Sequence, residues 1–143
     1  MSLTFTTNTN MPRYVVQRTQ DALNARLGLP LSWTKILVLG AAYKPDIDDI
    51  RESPALDVIG LLKEKNAEVS YHDPYISTIE HDDWTMDSVP TLNDAVQEAD
   101  CVLVITNHSN YDYDAIHAQA KLIIDTRNAF GRRPHDSQKV ERL

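Results

Sequence analysis

Two cations stand where a phosphate could be met. Lys44 lies in the polar segment Gly40–Ser53, which follows a short apolar run, and Arg127 lies in Asp125-Thr126-Arg127-Asn128, which follows another. Lysine offers a compact point charge and arginine a planar fork that also suits a carboxylate. A solvated lysine in a turn is the ordinary alternative for Lys44. Around it, Asp46, Asp48, Asp49 and Glu52 form an acidic cluster, with Arg51 placed to pair locally or to help hold the loop. The cluster lacks the alternating acids, the central glycine and the closing glutamate of a calcium loop, so no metal site is expected. Asp73 ends another apolar run. It lies 33 residues after Gly40, beyond the spacing of about 20 that puts an acid on a ribose. Asp73-Pro74 therefore reads as a turn. Tyr43, Tyr75, Tyr111 and Tyr113 could stack on a base or close a rim, or could simply be exposed loop tyrosines. His108 could act as a base or a donor, or be an ordinary loop histidine.

Other chemistries are weakly supported. The single cysteine, Cys101, sits in an apolar run with no basic neighbour, the setting of a buried, unreactive thiol. One cysteine excludes an internal disulfide framework and a four-thiolate metal site. The five histidines show no zinc-motif spacing. The net charge is −7, from 21 acidic and 14 basic residues, which argues against a bulk electrostatic hold on nucleic acid or anionic lipid. No apolar run reaches the length of about 18 residues needed to span a membrane. The N-terminus shows no basic or apolar leader, so a cytoplasmic chain is expected.

The elements that position these residues alternate along the chain. Pro12–Leu27 carries Val15, Val16, Thr19, Ala22, Leu23 and Leu27 at helical spacing and is stopped by Gly28 and Pro30. Ile36–Leu39, Ala67–Tyr71, Asp100–Thr106 and Leu122–Asp125 read as buried strands. Ser53-Pro54 marks a helix start, with the serine as N-cap and the proline in the first turn. Thr91 with Asp94 marks another, as an acidic capping box, and a further helix is expected near Asp112–Ala120. Tyr75–Pro90 reads as irregular, and the tail after Phe130 as polar. This alternation predicts an α/β fold with a Rossmann-like, doubly wound parallel sheet behind an N-terminal helix. Ligands of such sheets bind outside the carboxyl ends of the strands, which selects the loops carrying Lys44, Asp73, His108 and Arg127. The first loop holds neither G-x-G-x-x-G nor a Walker A motif. The 143 residues match one domain of about 100–200 residues.

Ordered blocks of residues add a family. Gly40-x-x-Tyr43-Lys44-Pro45-Asp46-x-Asp48-Asp49-x-Arg51-Glu52-Ser53-Pro54 resembles the start of the C-terminal, UDP-binding domain of the UDP-glucose/GDP-mannose dehydrogenase family. Tyr71-x-Asp73-Pro74-Tyr75, the Ala99–Thr106 strand with His108, and Asp125-Thr126-Arg127-Asn128 follow in the family's order. Asn8-x-x-Met11-Pro12-x-Tyr14-Val15-Val16 is similar to the end of its central, dimer-forming helical region. The Arg-Glu-Ser-Pro-Ala-Leu, Asp-Pro-Tyr and Asp-Thr-Arg-Asn segments look most like the branch that oxidises UDP-N-acetylhexosamines.

The resemblance implies an oxidoreductase that converts the C6 hydroxyl of a UDP-sugar to a carboxylate with two NAD⁺, in polysaccharide biosynthesis and as a homodimer. A cysteine in a Gly-Gly-x-Cys-x-Pro-Lys-Asp segment forms the covalent intermediate. Neither that segment nor a dinucleotide fingerprint occurs in this chain. The implied organisation has residues 1–3 as an expression scar, 4–34 as the end of the helical region plus linker, and 35–143 as the UDP-sugar-binding domain. NAD belongs to a missing N-terminal domain, and the fragment alone is expected to be inactive. By resemblance, Lys44 meets the diphosphate or sugar, Arg127 faces the substrate and Tyr43 lines the UDP site. Asp49, Arg51, Ser53 and Asp73 are loop-forming residues. Many relatives carry an acid where this chain has Asn107, so no acid role is assigned there. The competing reading is a stand-alone, non-catalytic nucleotide-binding regulatory module.

Overall fold

Five parallel strands form the sheet of the computed structural model, which describes residues 11–42, 44–46, 53–81, 83–131 and 139–143. In chain order the strands and helices are α1 (Met11–Ala22), β1 (Lys35–Leu39), α2 (Pro54–Glu64), β2 (Glu68–His72), β3 (Thr78–His81), β4 (Trp84–Asp87), α3 (Leu92–Glu98), β5 (Cys101–Val104), α4 (Tyr113–Gln119), β6 (Ile123–Asp125) and β7 (Val140–Arg142). The sheet order is β2-β1-β5-β6-β7, and β3 and β4 form a separate antiparallel hairpin. The chain leaves β1 in one direction to reach β2 and returns past it to β5. The topological switch point therefore lies between β1 and β5, where doubly wound sheets take ligands.

Burial on both faces explains the unbroken apolar strands. Ile36 and Val38 of β1, with Cys101 and Leu103 of β5, share one core with α1, α2 and Ile79 of the hairpin. Leu37 and Leu39, with Val102 and Val104, share the other with Val96 of α3, Ile116 of α4 and Phe130. The doubly wound parallel α/β sheet expected from the sequence is the observed fold.

The N-terminal helix completes the first layer. Its stripe of Val15, Val16, Thr19 and Ala22 is buried, and Leu23 opens a π-helical last turn, Leu23–Leu27, closed by Gly28 in the left-handed conformation. Arg18 and Arg26 both pair with Glu141 of β7, at 2.6 and 3.0 Å. The helix thereby bridges from α2 toward the far edge of the sheet, packed on the first core.

Three local readings change. Tyr75–Pro90 is not irregular throughout, because it contains the β3–β4 hairpin, whose Ile79 is buried and whose Trp84 and Met86 pack against the first core. Thr91 precedes α3 without a side-chain capping bond. The tail returns as β7, paired in register with β6 through Ile123↔Val140 and Asp125↔Arg142.

Candidate functional site at the carboxyl edge

Ser53 shows how the first loop ends. Its hydroxyl, 2% exposed, accepts the Ala55 N–H at 3.2 Å, and Pro54 follows at the first helical position. The long loop from β1 thus enters α2 through an N-cap. Its opening is set by Gly40, at φ +87°, where an added Cβ would lie 2.3 Å from the Thr106 carbonyl oxygen. The loops after β1 and β5 touch here backbone to backbone, which only glycine permits.

Asp73, at the end of β2, organises this edge. It is 3% exposed. Oδ2 accepts the N–H groups of Ala41 and Ala42 at 2.7 and 3.0 Å. Oδ1 accepts those of Tyr75 and Ile76 at 2.7 and 3.1 Å. His108 Nε2 lies 2.8 Å from Oδ2. These five donors engage both oxygens, which suits a carboxylate that fixes loops rather than one that meets a ribose or moves a proton.

His108 is completely buried, and geometry fixes its protonation. Its Nδ1 accepts the Asp46 N–H at 2.8 Å, so the proton is on Nε2 and is donated to Asp73. The ring is neutral. The 4.0 Å approach of Nδ1 to Asp46 Oδ1 is therefore not an ion pair. Asp46 takes a left-handed φ of +63°, tolerated by aspartate. Its carboxylate accepts the Ser109 N–H and hydroxyl at 2.8 and 2.9 Å, which hold it below the usual carboxylate range. Thr106 Oγ1 adds a 2.5 Å bond to the Ala42 carbonyl. The loops after β1 and β5 are stitched together across the switch point.

Aromatic rings surround the stitch. Tyr75 packs on His108 with centroids 4.9 Å apart. Tyr111 donates to the His72 carbonyl at 2.9 Å, and its oxygen lies 3.0 Å from His72 Nδ1. Burial, the leading cause, pushes the Tyr111 hydroxyl up and holds His72 below its ordinary value of 6.5. Tyr113 donates to the His108 carbonyl at 2.6 Å, and burial pushes its hydroxyl up to about 12.

A second buried aspartate shapes the loop after β6. Asp125, 1% exposed, accepts the N–H groups of Arg127 and Ala129 at 3.0 Å each and that of Phe130 at 3.1 Å. The Arg127 backbone is thereby held while its side chain is exposed. Lys44 is exposed too. The two cations stand on the loops after β1 and β6, at one edge of the sheet and on either side of the β5 loop. Tyr43, Asp49 and Arg51 lie outside the described residues. The roles of His108, Asp46, Ser109 and Asp125 were not identified from sequence. The available signals were their places at or beyond the carboxyl ends of buried strands and, for Asp46, His108 and Asp125, the family blocks that contain them.

Among the described residues of this turn, none forms a pyrophosphate cradle. A pyrophosphate cradle needs free amides after β1 and a helix N-terminus directly behind them. The Ala41 and Ala42 amides are taken by Asp73, and α2 begins only at Pro54. Cys101 is buried within β5, and burial pushes its thiol up, away from the thiolate a nucleophile needs. Among the described residues no group of three or more His, Cys, Asp or Glu could hold a metal, and no helix is long and apolar enough to cross a membrane. The hollow of about 570 Å³ beside Asn24 and Leu31, and that of about 490 Å³ beside Gly60 and Trp84, lie away from this edge.

A family model described as UDP-glucose/GDP-mannose dehydrogenase family, UDP binding domain, matches residues 37–132. The UDP-N-acetyl-D-mannosamine dehydrogenase of Methanococcus vannielii is 35% identical over 129 residues, covering 85% of this chain and 28% of that protein. Among solved structures, a UDP-D-ManNAc dehydrogenase from Pyrococcus horikoshii aligns with a TM-score of 0.77 and 28% identity, covering 95% of this chain and 31% of that one. The UDP-N-acetyl-mannosamine dehydrogenase of Staphylococcus aureus aligns with a TM-score of 0.68 and 34% identity, over 94% and 29%. The chain thus spans under a third of these relatives. The matched span, the shared fold and the ordered loop motifs agree: the chain belongs to the UDP-glucose/GDP-mannose dehydrogenase family, carries its UDP-binding domain, and is similar to the family's UDP-N-acetylhexosamine dehydrogenases.

Proposed function

We propose that this chain is the nucleotide-sugar-binding part of an NAD-dependent UDP-sugar 6-dehydrogenase that oxidises the C6 hydroxyl of a UDP-N-acetylhexosamine to a carboxylate. One observation carries the reading: Lys44 and Arg127 stand exposed on loops that buried aspartates hold, at the carboxyl edge of the sheet. A diphosphate there would meet a point charge on one side and a planar fork on the other, beside backbone anchored at Ala42, Asp46 and Arg127. Tyr43 belongs to the same proposed site.

NAD and the catalytic cysteine are assigned to parts of the enzyme outside this chain, since the Ala41 and Ala42 amides after β1 are taken by Asp73 and Cys101 is buried. The chain alone is accordingly inactive as a dehydrogenase. Residues 4–34 are proposed as the end of the central helical region with its linker, 35–143 as the UDP-sugar-binding domain, and 1–3 as an expression remnant. The parent enzyme is proposed as a cytoplasmic homodimer of polysaccharide biosynthesis.

Titration calorimetry of the chain with UDP and with NAD⁺ tests this. UDP binds weakly and NAD⁺ does not. Lys44→Ala and Arg127→Ala each weaken UDP binding by about 1–3 kcal/mol, as for charge-assisted bonds. Preference for NAD⁺ over UDP overturns the assignment.

A further inference from the structure

His108 has no exposed atom to offer a ligand, yet both its nitrogens are engaged on opposite sides. On one side is Asp73, which also holds the Ala41 and Ala42 amides. On the other is the Asp46 amide. Between Ala42 and Asp46 lies the short span bearing Lys44. At the near end of that span, the Ala42 N–H is fixed by Asp73 and its carbonyl by Thr106. At the far end, the Asp46 N–H is fixed by His108 and its carboxylate by Ser109. Pro45 cannot rotate about φ, and it restricts Lys44 before it to extended backbone. With Asp46 pinned and Pro45 between it and Lys44, the backbone on the C-terminal side of Lys44 is restrained.

We propose that His108 is the positioning residue of this edge: locked as the Nε2–H tautomer between Asp73 and the Asp46 amide, it holds the Lys44 segment in the conformation that receives the diphosphate. The ligand half of this inference rests on the UDP reading above; the clasp does not. The bond to Asp73 fixes the ring, and the bond from Asp46 transmits that fixation to Lys44. The two bonds therefore have separable consequences.

Two substitutions separate them. His108→Asn places an amide oxygen near the Nδ1 position and keeps an acceptor for the Asp46 N–H, but does not reach Asp73. His108→Gln reaches Asp73 and abandons the Asp46 N–H. Both lower the unfolding midpoint. Only His108→Gln speeds amide hydrogen exchange at Asp46 and weakens UDP binding, by about 3- to 10-fold for one lost hydrogen bond. In a Lys44→Ala background the same substitution changes UDP binding by less than about twofold, since coupled residues are not additive. In the unsubstituted chain, long-range ¹H–¹⁵N correlation shows a protonated Nε2 and a bare Nδ1. The proposal is overturned if Nδ1 carries the proton, if the Asp46 amide exchanges no faster in His108→Gln than in His108→Asn, or if the two variants weaken UDP binding equally. The tautomer and exchange measurements require no ligand. Absence of UDP binding by the unsubstituted chain, with both intact, instead removes the UDP reading.

Discussion

Asp73 and Asp125 are buried carboxylates whose charge is met largely by backbone N–H groups. Each turns the end of a strand into a loop of fixed shape without needing a buried cation, whose desolvation would be costly. Replacing Asp73 by alanine orphans five donors, and the cost is expected to be about 3 kcal/mol or more, read as a lower urea midpoint. Asp73→Asn retains one acceptor oxygen and loses less. Acid should loosen the same edge in two windows. His72 has a folded pKa below its ordinary 6.5. The unfolded chain then binds the extra proton, so stability is complete above 6.5 and declines as pH falls through that value. Asp46 lies below its ordinary 3.8, chiefly through the Ser109 N–H. Its contribution is present above 3.8 and is lost as pH falls through its lower folded value. Unfolding midpoints measured from pH 8 to pH 3 should fall with acidification in both windows, and Asp46→Asn should flatten only the lower one.

The strands and helices differ in how plainly the sequence marks them, for reasons visible in single residues. β1 and β5 are runs of β-branched and apolar residues buried on both faces, so composition alone marks them. Ser53-Pro54 starts a helix by local hydrogen bonding and a preset φ, which need no tertiary partner. The hairpin is weakly marked: Trp84-Thr85-Met86-Asp87 alternates apolar and polar with the period of a half-buried strand, but over only four residues. β7 carried almost none, because Val140 is the one apolar residue in its three. It is a strand because β6 offers an open edge. The meeting of the β1 and β5 loops gives the sharpest test at this scale. Gly40→Ala drives a Cβ to 2.3 Å from a backbone oxygen at a φ of +87°, where neither atom can yield cheaply. A loss of about 4 kcal/mol or more is expected by thermal unfolding, together with loss of UDP binding.

Across the whole molecule, α1 shares the first core with the sheet. The helix covers the first face of the sheet beside α2, and Arg18 and Arg26 tie it to β7 through Glu141. The ion pairs are partly exposed and contribute little; the buried Val15, Val16 and Leu23 contribute most. A chain beginning at Leu29 leaves that layer uncovered, and it is expected to lose cooperative unfolding and to bind a hydrophobic dye. A Glu141→Gln variant should unfold within about 1 kcal/mol of the parent.

The α/β alternation, the long polar loop in place of a dinucleotide turn, the capping serine and the buried thiol are legible in the residues alone, because each follows from local pattern, backbone chemistry or composition. The ordered motifs placed the chain in its family. How His108 is used depends on the folded arrangement of three strands. A histidine in a loop has no partners until β1, β2 and β5 come together, and its tautomer follows from an amide 62 residues away and a carboxylate 35 residues away. Contacts of that separation leave no periodic trace in a sequence, so His108 is visible there as a loop histidine and its partners are not.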